Sequence, residues 1–209
     1  MSEVETDVRI SPLRPPFSPA AAALLRRMTV PAGKEDDPVY EAFAERAPAI
    51  FAILARNEAL AELMAHVRAF THGGSGIPTR ERELLVHRVT ARLNAEYEWS
   101  MHAAVLGVAV GLDQATIDAT VTAEGSDPCW AGVDALIIRL VDELIDTNEV
   151  SDELWSALSV HYEQSEVLSL LFLTGLYTTY SWLGNGVRVQ VEPGTPRFPR
   201  RARARTTVT

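Results

Sequence analysis

The stretch RERELLVHRVTARLNAEYEWSMHAAVLGVAVG, residues 80–111, decides how the chain is read. Leu85, Val86, Val89 and Leu93 recur at helical spacing and mark the apolar face of a helix that begins near Thr79. A second helix covers roughly residues 96–110 and ends at Gly111, a residue suited to the left-handed position just past a helix. Glu83 and His87 stand four residues apart on the first helix, and Glu98 and His102 four apart on the second. Each pair therefore projects from one face of its helix. A short connection at Asn94 lets the two helices lie side by side and bring the pairs together.

The same helical spacing extends in both directions. Ser18-Pro19 reads as a cap with a first-turn proline, opening a helix through Leu24, Leu25 and Met28. Asp37-Pro38 repeats that signal ahead of Tyr40, Phe43 and Ala44. Pro48 starts a helix with Phe51 and Leu54 on one face, and Asn57 caps another through Leu60, Leu63, Met64 and Val67. Residues 71–78, with three glycines and a proline, form a helix–helix connection. No strand precedes this loop and no Lys-Ser/Thr follows it, so it is not a phosphate-binding loop. Asp113 caps a helix through Ile117 and Val121. Asp127-Pro128 opens a longer one through Val133, Leu136, Ile137, Leu140 and Leu144, and Ser151 caps the next. The last helix starts near Ser165 and stops around Asn185-Gly186. Val187–Val191 alone hints at strand alternation. The chain is expected to be all-α, with about eight to ten helices.

Composition narrows the function. The 209 residues are 47% hydrophobic and 22% charged, within ordinary globular values. There is one cysteine, Cys129, so no disulfide, Cys-based zinc cluster or Cys-x-x-Cys redox pair forms within the chain. Nineteen basic against 28 acidic residues give a net charge of −9, unlike a general nucleic-acid binder. The end of the chain runs the other way: Arg197, Arg200, Arg201, Arg203 and Arg205 follow Pro193 with no acid among them. The N-terminus has no apolar signal region, and the apolar stretch 167–183 contains Thr174, Thr178, Thr179 and Ser181, so a buried helix is expected rather than a membrane span. A cytoplasmic protein with neither nucleic acid nor membrane as partner is the expectation.

The acid–imidazole pairs have two readings by spacing alone. One is a pair of ordinary surface contacts. The other is a proton-transfer site, in which a carboxylate holds an imidazole tautomer and a buried glutamate carries a proton near neutrality. Glu83, Glu98 and His102 also offer ligand types that suit iron, manganese or zinc, but no HExxH or repeated ExxH signature accompanies them, and no metal or other cofactor is expected.

The segment resembles the carboxymuconolactone decarboxylase family, within the alkyl hydroperoxidase D-like superfamily. The residues that carry the resemblance are the Arg-x-Arg-Glu-Leu opening at 80–84, Arg88, Glu96-Tyr97-Glu98-Trp99-x-x-His102 and Gly111-Leu112. Further along are Trp130, Leu136…Arg139…Asp142-Glu143-Leu144, Ser151…Trp155…Leu158, Gly175-x-Tyr177-Thr178 and Asn185-Gly186-Val187. The resemblance covers roughly residues 48–191. It leaves 1–47 as an N-terminal extension with short helices and 192–209 as an Arg-rich tail.

Several expectations follow from that resemblance. The fold is an alkyl hydroperoxidase D-like helical bundle. Glu83 and His102 stand where the peroxidase branch has its glutamate and histidine, while Ala95 and Glu98 occupy its cysteine positions, so thiol peroxidase chemistry is not expected. The Cys-less decarboxylase branch implies acid–base work on a small organic acid, lactone or enolisable carbonyl. In it His102 is the proton shuttle, Glu98 its orienting partner or second acid, and Glu83 the buried partner across the helix pair. His87 is a second acid/base or a structural histidine. Arg88 binds a substrate carboxylate or forms a structural ion pair. Tyr177, Tyr180 and Trp182 line an aromatic pocket for the substrate or pack as core and interface. The alternative is a non-catalytic binding or assembly protein that keeps the fold. Both readings imply a homo-oligomer, as dimer, trimer or hexamer.

Overall fold

The computed structural model describes residues 8–30, 35–36, 38, 44–45 and 47–199. Nine α-helices lie within them, and no strand does. They are α1 (Pro19–Thr29), α2 (Ala49–Leu54), α3 (Glu58–Ala69), α4 (Thr79–Arg92), α5 (Glu96–His102), α6 (Gln114–Thr122), α7 (Gly132–Thr147), α8 (Asp152–His161) and α9 (Gln164–Val187). The expected all-α bundle is thus observed. The helix expected from Asp37-Pro38 through Phe43, and Arg200, Arg201, Arg203 and Arg205 of the tail, lie outside the described residues.

Helix starts follow local hydrogen bonding. Ser18, Asn57, Asp113 and Ser151 each accept from the backbone N–H three residues on, so one otherwise orphaned donor of α1, α3, α6 and α8 is satisfied. Asn94 and Asn148 take left-handed conformations, with φ of 53° and 62°, and end α4 and α7. Two expectations are corrected. Asp127-Pro128 does not open α7; the Asp127 carboxylate accepts from Glu124 N (2.7 Å) and its carbonyl from Trp130 N (3.1 Å), which closes a turn, and the helix begins at Gly132. Val187–Val191 is not a strand, because α9 runs through Val187. The expected helix over 96–110 changes character after His102: residues 103–107 widen into a π-turn and 108–110 tighten into a 3₁₀ turn.

The chain forms two compact units, 1–76 with 184–190 and 77–183 with 191–209. Both draw on the stretch 48–191. The first unit is built on α1, α2 and α3, with Leu24, Leu25, Met28, Ile50, Ile53, Leu54, Ala61 and Met64 in its core. Its N-terminal segment is tied down by Arg9 N–H on Val187 O (3.0 Å) and Leu13 N–H on Ala52 O (3.1 Å).

The second unit is centred on α4. Every residue from Arg82 to Thr90 is buried, so this helix has neighbours on all sides. Its apolar positions meet those of α7, where Ile137, Ile138, Leu140 and Val141 are fully enclosed. Three arginines of α4 make four ion pairs with α7. Arg80 forms a two-pronged bridge to Asp134 (2.6 and 2.8 Å), Arg88 one to Asp142 (2.8 and 2.7 Å), and Arg92 reaches Asp142 and Asp146 (2.7 and 2.5 Å). The sequence separation is 54 residues at each of Arg80–Asp134, Arg88–Asp142 and Arg92–Asp146, so α4 and α7 run parallel and in step. Helix α9 is long and apolar enough to cross a membrane by length and composition, and half of that window is buried inside the protein.

Candidate active site

Three of the expected residues converge between α4, α5 and α9. Glu83 is completely buried in the middle of α4. Its Oε2 accepts from His102 Nδ1 at 2.7 Å, and its Oε1 accepts from Arg82 Nη2 and Nε at 3.0 and 3.2 Å. Burial works to raise the carboxyl pKa, but the charge and hydrogen bond of His102, helped by Arg82 and His87, outweigh it and hold Glu83 down at about 2. The carboxylate is therefore ionised at neutral pH. As an acceptor it keeps a proton on His102 Nδ1 and leaves Nε2 as the ring nitrogen turned away from Glu83. The His102 ring lies against Tyr177, with centroids 5.3 Å apart and planes at 82°.

Glu98 sits one turn before His102 on the same face of α5. It is 6% exposed, and its Oε1 is buried without a hydrogen bond. Desolvation drives its pKa up, His102 pulls it back, and it comes to about 7. A carboxyl of this kind holds a proton in weak acid and releases it just above neutrality.

His87 is not paired with the Glu83 carboxylate, as the i,i+4 spacing suggests. Its Nδ1 donates instead to the Glu83 backbone carbonyl at 2.7 Å, because that carboxylate is turned toward α5. Burial, together with the charge of His102, lowers its pKa to about 4. His87 thus stays neutral and offers only an acceptor, Nε2, which is buried and unpartnered. The ring stands edge-on to both His102 and Trp99, at 6.3 and 5.9 Å. Gly107 is needed beside it: a Cβ there would lie 2.7 Å from Ile117 Cδ1 and 3.5 Å from His87 Nε2.

The remaining expected residues divide. Tyr177 is buried beside His102, and Tyr180 lies 5.9 Å from Tyr177, so both belong to the site's aromatic wall. Trp182 is 66% exposed and sits about 140° further round α9 from Tyr177, away from that wall. Arg88 makes four hydrogen bonds, two to Asp142 and one each to Thr120 O (3.0 Å) and Ala123 O (2.8 Å). The structure places it in the ion pair rather than at a ligand. Among the described residues, no group of three His, Cys, Asp or Glu side chains is arranged to hold a metal ion.

Arg82 and the C-terminal strap are parts of the site that the sequence did not reveal. Adjacent residues on a helix point in different directions, so the Arg82–Glu83 pair carries no spacing signal. The strap crosses α5 through Phe198 N–H on Glu96 (3.0 Å), Tyr97 OH on Glu192 (3.4 Å) and a Phe198–Trp99 ring contact at 5.3 Å. These contacts join residues about a hundred positions apart, beyond the reach of any local pattern.

No family model matches the sequence, and no curated protein matches it. Among solved structures, an uncharacterized peroxidase-related protein from Silicibacter sp. TM1040 superposes with a TM-score of 0.64. The identity is 15%, over 87% of this chain and 96% of that one. That likeness is one of fold, and this chain shares the all-helical architecture of that peroxidase-related protein.

Proposed function

We propose that the chain is a cofactor-free acid–base enzyme, of decarboxylase, lyase or isomerase type, acting on a small organic acid, lactone or enolisable carbonyl. The observation that carries this reading is the His102 imidazole. Its Nδ1 is anchored on ionised Glu83, and one turn back on the same face of α5 stands the buried carboxyl of Glu98, whose Oε1 has no hydrogen bond. In the forward step Nε2 takes a proton from the carbon next to a carbonyl. The C–H electrons move into the carbonyl, and Glu98 delivers its proton to the oxygen, giving an enol. Glu83 offsets the charge of the imidazolium. Return of the two protons, to a different carbon for an isomerase, restores the site. In a decarboxylation the C–CO2 bond supplies the electrons and His102 returns a proton to carbon.

Thiol peroxidase chemistry is not part of the proposal. Cys129, the one cysteine, is exposed in the turn ahead of α7, and the residues that lead into and line α5 at 95 and 98 are Ala95 and Glu98. The working form we propose is a cytoplasmic homo-oligomer with a small-molecule substrate and neither nucleic acid nor membrane as partner. The outward face of α9 supports the oligomer. Leu168, Phe172, Gly175, Thr179 and Trp182 recur every three or four residues along it, and no charged residue occurs between Val167 and Val187. Pairing two such helices antiparallel about Gly175 sets Leu168 of each copy against Trp182 of the other, as an isologous interface requires.

The test is α-proton exchange into D2O, followed by proton NMR, for simple ketones with the wild type and His102→Asn. Asparagine puts an amide N–H near the place of Nδ1, so Glu83 keeps a donor while the base is lost. We expect exchange to fall about 10²–10⁴-fold with the melting temperature little changed. Exchange that proceeds equally well in the variant rules out His102 as the base.

A further inference from the structure

The charges around the site bear on which substrate it accepts, and this step rests on the acid–base reading above. Between residues 77 and 183 the chain has no lysine and five arginines. All five are already paired with acids. Arg80 holds Asp134, Arg82 holds Glu83, Arg88 and Arg92 share Asp142, Arg92 also reaches Asp146, and Arg139 meets Glu143 and Glu153. On the strap, Arg197 lies 3.6 Å from Glu96. The two arginines closest to the chemistry are also the most buried, with side chains 6% and 3% exposed for Arg82 and Arg88.

Among the described residues, the polar side chains gathered at the site are then His102, Glu98 and His87, with the ring of Tyr177 against His102 and Tyr180 next to it. His87 is held as a neutral acceptor by its hydrogen bond to the Glu83 carbonyl. Glu98 contributes either no charge or a negative one. An incoming carboxylate would lose its water without gaining a cation, beside a carboxyl that can itself ionise. Among the described residues, the counter-charge the site offers is a protonated His102. An imidazolium used that way cannot also take a proton from carbon.

We infer that the site takes an uncharged carbonyl compound, a ketone or lactone, in preference to a carboxylate-bearing one. The carbonyl oxygen accepts from the Glu98 carboxylic acid, the adjacent C–H faces His102 Nε2, and the apolar body lies on Tyr177 and Tyr180. A hydroxyl or other donor on the substrate would meet His87 Nε2, which the fold leaves without a partner.

The test compares cyclopentanone with 3-oxocyclopentane-1-carboxylate in the D2O exchange assay, using the full chain, with His102→Asn and Tyr180→Arg alongside. We expect kcat/KM for the neutral ketone to exceed that for the carboxylate by about tenfold or more. Tyr180→Arg supplies the missing cation and should narrow or reverse the ratio. If the carboxylate is exchanged as fast or faster by the wild type and His102→Asn abolishes both, this inference falls while the acid–base reading stands. If neither ketone exchanges above the buffer rate, both fall together.

Discussion

Glu98, His87 and Glu83 give the site opposing responses to pH. Folding carries Glu98 from an ordinary 4.5 up to about 7, so the native state keeps a proton that the unfolded chain releases as pH rises across that window. Stability therefore falls from pH 4.5 to 7 on its account. His87 is displaced from 6.5 to about 4, so the unfolded chain gains a proton as pH falls through that range, and stability falls with acid. The two effects oppose each other between pH 4.5 and 6.5 and leave a flat profile. Below 4.5 Glu83, held at about 2, adds a further loss as its ion pair with Arg82 and His102 is protonated away. Glu98→Gln should break the balance. Its urea midpoint should rise at pH 8, by the equivalent of roughly 3 kcal/mol, and match the wild type near pH 4.5. Equal midpoints at pH 8 would show that Glu98 is not held protonated by burial. The same proton sets activity: exchange should decline above about pH 7 in the wild type, and Glu98→Gln should remove that limb.

Among the helices, α4 and α7 are joined by charge as well as by apolar contact. Arg88 is almost fully buried and bonded to Asp142 and two carbonyls, so truncating it bares two acceptors in the interior and leaves the Asp142 carboxylate with Arg92 as its remaining cation. Arg88→Ala should cost about 3–5 kcal/mol by chemical denaturation, and Arg88→Met with Asp142→Leu should recover much of that. A double variant no more stable than Arg88→Ala would mean that the ion pair itself, not the unpaired charge, carries the stability. Gly125 approaches the same carboxylate so closely that a Cβ would lie 2.3 Å from Asp142 Oδ2. Gly125→Ala should therefore destabilise by disturbing the Arg88 clamp. At α8, Ser151→Ala removes the hydroxyl that accepts from Leu154 N–H and meets Glu143, and about 1 kcal/mol should be lost in the same measurement. The caps, the helix spans and the break at Asn94 were largely legible in the sequence, since each depends on residues within one turn; the left-handed end at Asn148 was not read there. The false start at Asp127-Pro128 shows the limit: Asp-Pro suits a cap, but Trp130 Nε1 bonds to Glu124 O at 3.1 Å and helps close the turn.

For the whole molecule, the outward face of α9 carries the clearest unused apolar surface. Leu168 is 65% exposed and Trp182 is 66% exposed on a face without charge. If that face meets a second copy, light scattering should find a homo-oligomer, and Leu168→Lys with Trp182→Lys should shift it toward monomer without loss of helix content. A wild type that is monomeric at micromolar concentration would remove the proposal. The composition had already excluded chemistry that needs two thiols in one chain, and the net charge of −9 had turned the reading away from nucleic acid.

By itself the sequence determined the helical class, most helix ends and the residues of a candidate site, because periodicity, caps and i,i+4 spacing are properties of neighbouring residues. Only the tertiary structure decided which partner each of those residues takes. Glu83 turns from His87 to His102, Arg88 is taken up by Asp142, Arg82 joins the site from a direction that spacing disallows, and Trp182 leaves it. The choice between a carboxylate's possible partners depends on which helix packs opposite and on how much water is excluded. Both are set by contacts between segments far apart in the chain.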